Sequence, residues 1–212
     1  MKFIPSKTPY LVRWFFSNYT WKKPTSKKVL YLTFDDGPTP KITTWVLQQL
    51  KNYNAKATFF CIGNNIEKHP DLFHNIIQNG HTIGNHSQNH VKGLKTTLKN
   101  YIEDIEACNL SIKKHSNLNT KTKLFRPPFG QLKSNQGKKL QKLGYKIIMW
   151  SVLSFDWESK YTKQNCLKFA LKAKQGDIIV MHDSLKASKH LEYILPRILE
   201  HYNNKGYLFK AL

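Results

Sequence analysis

Short apolar runs rich in β-branched and aromatic residues recur along the chain, at Val29 to Phe34, Ala57 to Ile62, His81 to Gly84, Tyr145 to Ser151, Asp177 to His182 and Tyr207 to Phe209. Runs of this length bounded by turn residues predict short buried strands. Between them apolar residues return every three or four positions, over Ile42 to Leu50, Ile66 to Gln78, Leu94 to Lys114, Gln136 to Leu143, Asn165 to Lys174 and Leu191 to Tyr202, as in helices that hide one face. Gly80, Gly144 and Gly176-Asp177 fall where each helix must stop before the next strand. Parallel neighbours need a crossover, usually a helix, so the alternation predicts an α/β fold with parallel strands. A distorted (β/α) barrel, TIM-like with about seven strands, accommodates it best. No repeat or low-complexity linker interrupts the pattern, so residues 29–212 are expected to form one domain behind an N-terminal extension, residues 1–28.

With 212 residues, 40% of them hydrophobic, the chain can bury one sizeable core. Its 34 Lys+Arg against 13 Asp+Glu give a net charge of +21, so parts of its surface attract polyanions. The lysines are scattered, as in Lys22-Lys23, Lys27-Lys28, Lys113-Lys114 and Lys138-Lys139, and not interleaved with aromatics at one place. That argues against a nucleic-acid site and leaves an anionic glycopolymer or a membrane surface as partner for the charge. The extension collects Tyr10, Trp14, Phe15, Phe16, Tyr19 and Trp21 among basic residues, which suits either packing on the domain or facing a membrane. Leu11 to Phe16, broken by Arg13, is too short for an export signal or a span. A cytoplasmic or membrane-surface location is therefore expected, with the periplasm as alternative. Cys61, Cys108 and Cys166 are widely spaced with no C-x-x-C and are expected to be buried free thiols.

The distinctive polar residues sit at predicted strand ends. Thr33-Phe34-Asp35-Asp36-Gly37-Pro38 closes the first strand with two carboxylates. Adjacent strand residues face opposite ways, so one can hold a metal while the other serves as a base. In Gly84-Asn85-His86-Ser87-Gln88-Asn89-His90 the two outer histidines stand four apart, which on a helical turn puts both imidazoles on one side. Two His and one Asp leave a position open for water, as in a catalytic zinc site. Phe125-Arg126-Pro127-Pro128-Phe129-Gly130 holds a charge in a rigid turn, and a buried arginine there needs a carboxylate. Trp150-Ser151-Val152-Leu153-Ser154-Phe155-Asp156-Trp157 offers Asp156 as that carboxylate and Trp157 as an apolar wall. Ile178-Ile179-Val180-Met181-His182 ends in a histidine able to protonate a leaving amine.

Taken in order, the five clusters resemble the signature of the polysaccharide deacetylases, carbohydrate esterase family 4 or NodB homology domain, over residues 29 to 209. The resemblance implies a distorted β/α barrel that binds one divalent ion, commonly zinc with cobalt or nickel as alternatives, through Asp36, His86 and His90. It makes Asp35 the base acting on a water held at the ion, His182 the acid for the departing sugar amine, and the Phe129 backbone N–H an oxyanion donor. Arg126 and Asp156 match the pair that holds Asp35 and His182, and Trp157 and Val180 the walls around the acetyl methyl. The implied reaction removes N-acetyl groups from N-acetylglucosamine-type residues of peptidoglycan, a chitin oligomer or an exopolysaccharide, and the expected state is a monomer. Leu153 stands where members often carry Asp, and Phe129 where Tyr is commoner. The rival readings are an O-acetyl esterase or a deformylase on a lipid-linked amino sugar, a catalytically silent carbohydrate-binding protein, and a basic nucleic-acid or membrane-surface protein.

Overall fold

A computed structural model describes residues 5–116 and 123–212. In chain order its elements are α1 (Tyr10–Phe15), β1 (Val29–Asp35), α2 (Ile42–Asn52), β2 (Ala57–Cys61), α3 (Gly63–Lys68), α4 (Pro70–Gln78), β3 (Thr82–Asn85), α5 (Leu98–Lys114), β4 (Lys123–Phe125), α6 (Ser134–Lys142), β5 (Tyr145–Ile147), β6 (Val152–Leu153), α7 (Lys163–Ala170), β7 (Ile178–His182), α8 (Ser188–Asn204) and β8 (Leu208–Phe209). The strands form a sheet in the order β5-β4-β3-β2-β1-β7-β6, with β8 added alongside β1. Every pairing is parallel. The two edges of that path, β5 and β6, are joined by residues 148–151, so the chain itself bridges the open side of a curled half-barrel.

β1, at the centre, is buried along its whole length, as a strand covered on both faces must be. The largest core cluster sets Leu30, Leu32 and Phe34 against Val46, Leu47 and Leu50 of α2 and Leu191, Ile194, Leu195 and Ile198 of α8, the predicted helical stripes. Cys61, Cys108 and Cys166 are buried free thiols.

Five elements depart from the sequence pattern for identifiable reasons. The helix expected over Ile66 to Gln78 is two, because Pro70, which has no N–H and collides with a preceding turn, starts a new one at its first position. The strand expected over Tyr145 to Ser151 leaves the sheet after Ile147, because the carbonyls of Ile148 and Met149 turn to Arg126. β4, β6 and α1 are too short to show a period. The extension is fastened at both ends. Thr8 N donates to Ser151 O at 2.9 Å and Leu153 N to Ser6 O at 2.8 Å, while Thr20 N donates to Ile147 O at 2.9 Å and Met149 N to Thr20 O at 2.8 Å.

Candidate active site

Because all strands run parallel, their C-terminal ends lie on one side, and the polar clusters are delivered together there. Cα register pairs Asp35 of β1 with His182 of β7 and Thr33 with Val180, so each pair shares a face of the sheet.

Asp36, His86 and His90 converge: one ligand atom from each lies within 4.8 Å of the others. Asp36 Oδ1 is 3.7 Å from His86 Nε2 and 3.4 Å from His90 Nε2. The two histidines are not on a helical turn as expected. Residues 86–90 form a loop in which Ser87 and His90 take positive φ of 65° and 54°. Its N–H groups are taken from outside: Asn85 Oδ1 accepts from Ser87 N at 2.8 Å, and the Asp104 carboxylate on α5 accepts from Gln88 N at 2.9 Å and Asn89 N at 3.2 Å. An i→i−4 ladder is thereby replaced by side-chain anchors.

These three residues fit a cation. The His86 Nδ1 faces the Arg126 carbonyl at 2.8 Å; a carbonyl only accepts, so Nδ1 carries the proton and the Nε2 lone pair points to Asp36. Burial pushes the His86 pKa down to about 3 and lowers that of His90, so both rings are neutral donors of lone pairs near pH 7. Asp36 Oδ1 is buried and has no hydrogen-bond partner. A carboxylate oxygen and two imidazole lone pairs this close have nothing between them to share unless a cation supplies it.

Arg126 is 0% exposed and spans the barrel interior. Its Nη1 donates to Asp35 Oδ1 and to Thr33 Oγ1, both at 2.7 Å, its Nη2 to Met149 O at 3.0 Å, and its guanidinium lies 4.1 Å from the Phe60 ring centroid. The carboxylate it finds is therefore Asp35 and not, as expected from the fourth cluster, Asp156, which is engaged elsewhere. Asp156 Oδ1 faces His182 Nδ1 at 2.9 Å and its Oδ2 accepts from the His182 backbone N–H at 2.7 Å. Burial alone would lower the His182 pKa, but the Asp156 charge and hydrogen bond, helped by Asp36 and Asp35, outweigh it and raise it to about 9.

Phe129 takes φ 59°, and its N–H donates to no acceptor among the described residues. The next residue, Gly130, also has positive φ, and a Cβ there would run into the Trp150 indole, so glycine is required. The Phe129 ring is exposed, 4.6 Å from the His90 ring with the Lys92 ammonium 4.7 Å away. The Trp157 ring stands 4.5 Å from that of His182, and buried Val180 packs in one cluster with Trp157, Leu153 and Phe155. Leu153 is thus part of an apolar wall, and Asp156 is the carboxylate that meets His182.

The sequence reading missed three supports. Asp183, fully buried, accepts from Gly37 N at 3.1 Å and from the Thr43 hydroxyl, tying the turn after Asp36 to α2. Asn65 Nδ2 donates to Asp36 O at 2.7 Å. His190 lies with Nδ1 2.8 Å from Asp156 O. Only Asp183, next to His182 at a strand end, carried a signal.

The chain is similar to proteins of known family. A family model described as polysaccharide deacetylase matches residues 22–148. A peptidoglycan-N-acetylglucosamine deacetylase of Bacillus cereus is 34% identical over 193 residues, 90% of this chain and 89% of that protein. The peptidoglycan-N-acetylmuramic acid deacetylase PdaC of Bacillus subtilis is 29% identical over 163 residues, 77% of this chain and 34% of that one. The crystal structure of the Bc1960 peptidoglycan N-acetylglucosamine deacetylase, in complex with 4-naphthalen-1-yl-N-oxidanyl-benzamide, superposes with a TM-score of 0.87 at 30% identity, covering 97% of this chain and 95% of that one.

Proposed function

The chain belongs to the polysaccharide deacetylase family, carbohydrate esterase family 4, and we propose that it removes N-acetyl groups from N-acetylglucosamine-type residues of peptidoglycan. The observation that carries the reading is the unpartnered, buried Asp36 Oδ1 facing two neutral imidazoles, in a strand-end cluster that also holds a fixed carboxylate and a protonated histidine.

Asp36, His86 and His90 would hold the divalent ion, for which zinc suits two nitrogen donors and one oxygen; when bound, it polarises the acetamide carbonyl and activates a water. Asp35 accepts the proton of the attacking water. Arg126 fixes its Oδ1, while Oδ2 has no hydrogen bond among the described residues and is free to do so. The Phe129 N–H, turned out by its left-handed backbone, donates to the oxygen that gains charge as the carbonyl becomes tetrahedral. His182 Nδ1 donates to Asp156, so its Nε2 carries the proton that the departing amine needs. With a pKa of about 9 the ring holds that proton at neutral pH. Trp157 and Val180 form the wall that receives the acetyl methyl and keeps water from the acid. Acetate and a free sugar amine result.

Acetate release from peptidoglycan and from chitooligosaccharides is the test, comparing zinc-loaded protein with a chelator-stripped sample and with Asp35→Asn. Release by the loaded wild type alone is expected. A loaded, folded protein that frees no acetate from any amide substrate would overturn the reading.

A further inference from the structure

Among the described helices, α1 is the one that buries no residue. Tyr10, Leu11, Trp14, Phe15 and Phe16 are 70%, 65%, 59%, 70% and 49% exposed, an unusual concentration for a stretch this short. It is not a fraying end. The bonds from Ser6 and Thr8 on one side and from Thr20 on the other anchor it to the segment joining β5 and β6, and Trp21 Nε1 donates to Phe16 O at 2.9 Å. The fold thus holds a fixed loop of apolar and aromatic side chains out into water, where Trp14 and Phe15 pack edge to face on each other.

The surroundings are basic. Residues 1–34 and 107–155 contain no Asp or Glu. Arg13 lies on α1, and paired hydrogen bonds between Asn18 and Gln141 set its exit beside α6, whose Lys138, Lys139 and Lys142 are exposed. We infer that α1 and the lysines of α6 dock the enzyme on an anionic lipid bilayer. Trp, Tyr and Phe beside cations favour the headgroup boundary, where the rings leave water and the cations meet phosphates. A hydrated glycopolymer offers no apolar phase for Leu11 and Phe15. A second copy would bring two basic faces together. Among the described residues no helix is long and apolar enough to cross a membrane, so the contact is with the surface.

Flotation with vesicles of equimolar phosphatidylglycerol and phosphatidylcholine, against pure phosphatidylcholine, tests this. Wild type is expected to float only with the anionic vesicles, and less at about 0.5 M than at about 0.05 M salt. Trp14→Ser/Phe15→Ser should lower the vesicle affinity by roughly tenfold or more, and Lys138→Glu/Lys142→Glu should lower it too. Both variants are expected to keep the wild-type melting temperature and turnover of a soluble chitooligosaccharide, since neither touches the catalytic cluster. No flotation at low salt, or flotation undiminished in Trp14→Ser/Phe15→Ser, would overturn the inference. A wild-type dimer in ultracentrifugation that this variant converts to monomer would overturn it in favour of self-association.

Discussion

Replacing Asp156 with Asn removes one charge from a group that is 0% exposed and leaves the shape of the side chain almost unchanged. The His182 pKa should then fall from about 9 at least to its ordinary value of 6.5, because the Asp156 charge and hydrogen bond are what overcome burial. At pH 8 the protonated fraction drops about thirtyfold and at pH 7 about fourfold, from those two values alone. The alkaline limb of kcat/KM should therefore move to lower pH in the zinc-loaded variant, with a loss that widens as pH rises. A cation at Asp36 offsets part of the Asp36 contribution, so the wild-type limb should lie somewhat below the value found by NMR titration of the metal-free protein. Stability follows the same linkage. The folded-state pKa is raised, so its contribution, about 3 kcal/mol from the difference between about 9 and 6.5, is fully present below pH 6.5 and is lost as pH rises through 9. The melting temperatures of wild type and variant should differ most near pH 6 and converge above pH 9. A folded Asp156→Asn protein whose alkaline limb and His182 titration stay where they are in wild type would refute the assignment of His182 as the acid set by Asp156.

Three further outcomes follow from other contacts. Arg126→Met leaves Asp35, Thr33 and two carbonyls without their buried donor and should cost about 3–5 kcal/mol in urea unfolding, whereas a change below about 1 kcal/mol would mean that water replaces the guanidinium. Phe129→Ala should keep most activity because only the backbone donates, while Phe129→Pro, which lacks the N–H and cannot adopt φ 59°, should lose roughly a hundredfold or more in kcat. Gly37→Ala places a Cβ inside the Asp183 carboxylate and should weaken zinc affinity, measured by competition with a chromogenic chelator, by displacing the turn that carries Asp36.

Much of this protein was legible in the order of its residues. Alternating buried-strand and amphipathic-helix patterns specify parallel strands, since helical crossovers leave no other pairing, and parallel strands bring their C-terminal ends to one side. The clusters around Asp35, His86, Arg126, Asp156 and His182 were visible because a strand end is marked locally, by an apolar run that stops at a polar residue. Which of those groups touch was not. Spacing suggested a helical turn for His86 and His90, but Asn85 and Asp104, the latter eighteen positions beyond His86, take the loop's N–H groups and bend it otherwise. The residue pattern pointed to Asp156 as the partner of Arg126; the register of β1 beside β7 and the inward path of the guanidinium gave it Asp35 instead. Asn65 and His190 belong to helices that sequence cannot place next to the site. Composition marked the aromatic extension as apolar, yet only the fold holds its two ends on the β5–β6 segment and leaves α1 in water. Local pattern records which side each residue must face, whereas partner choice depends on distances between segments far apart in the chain, and those exist only once the sheet has closed.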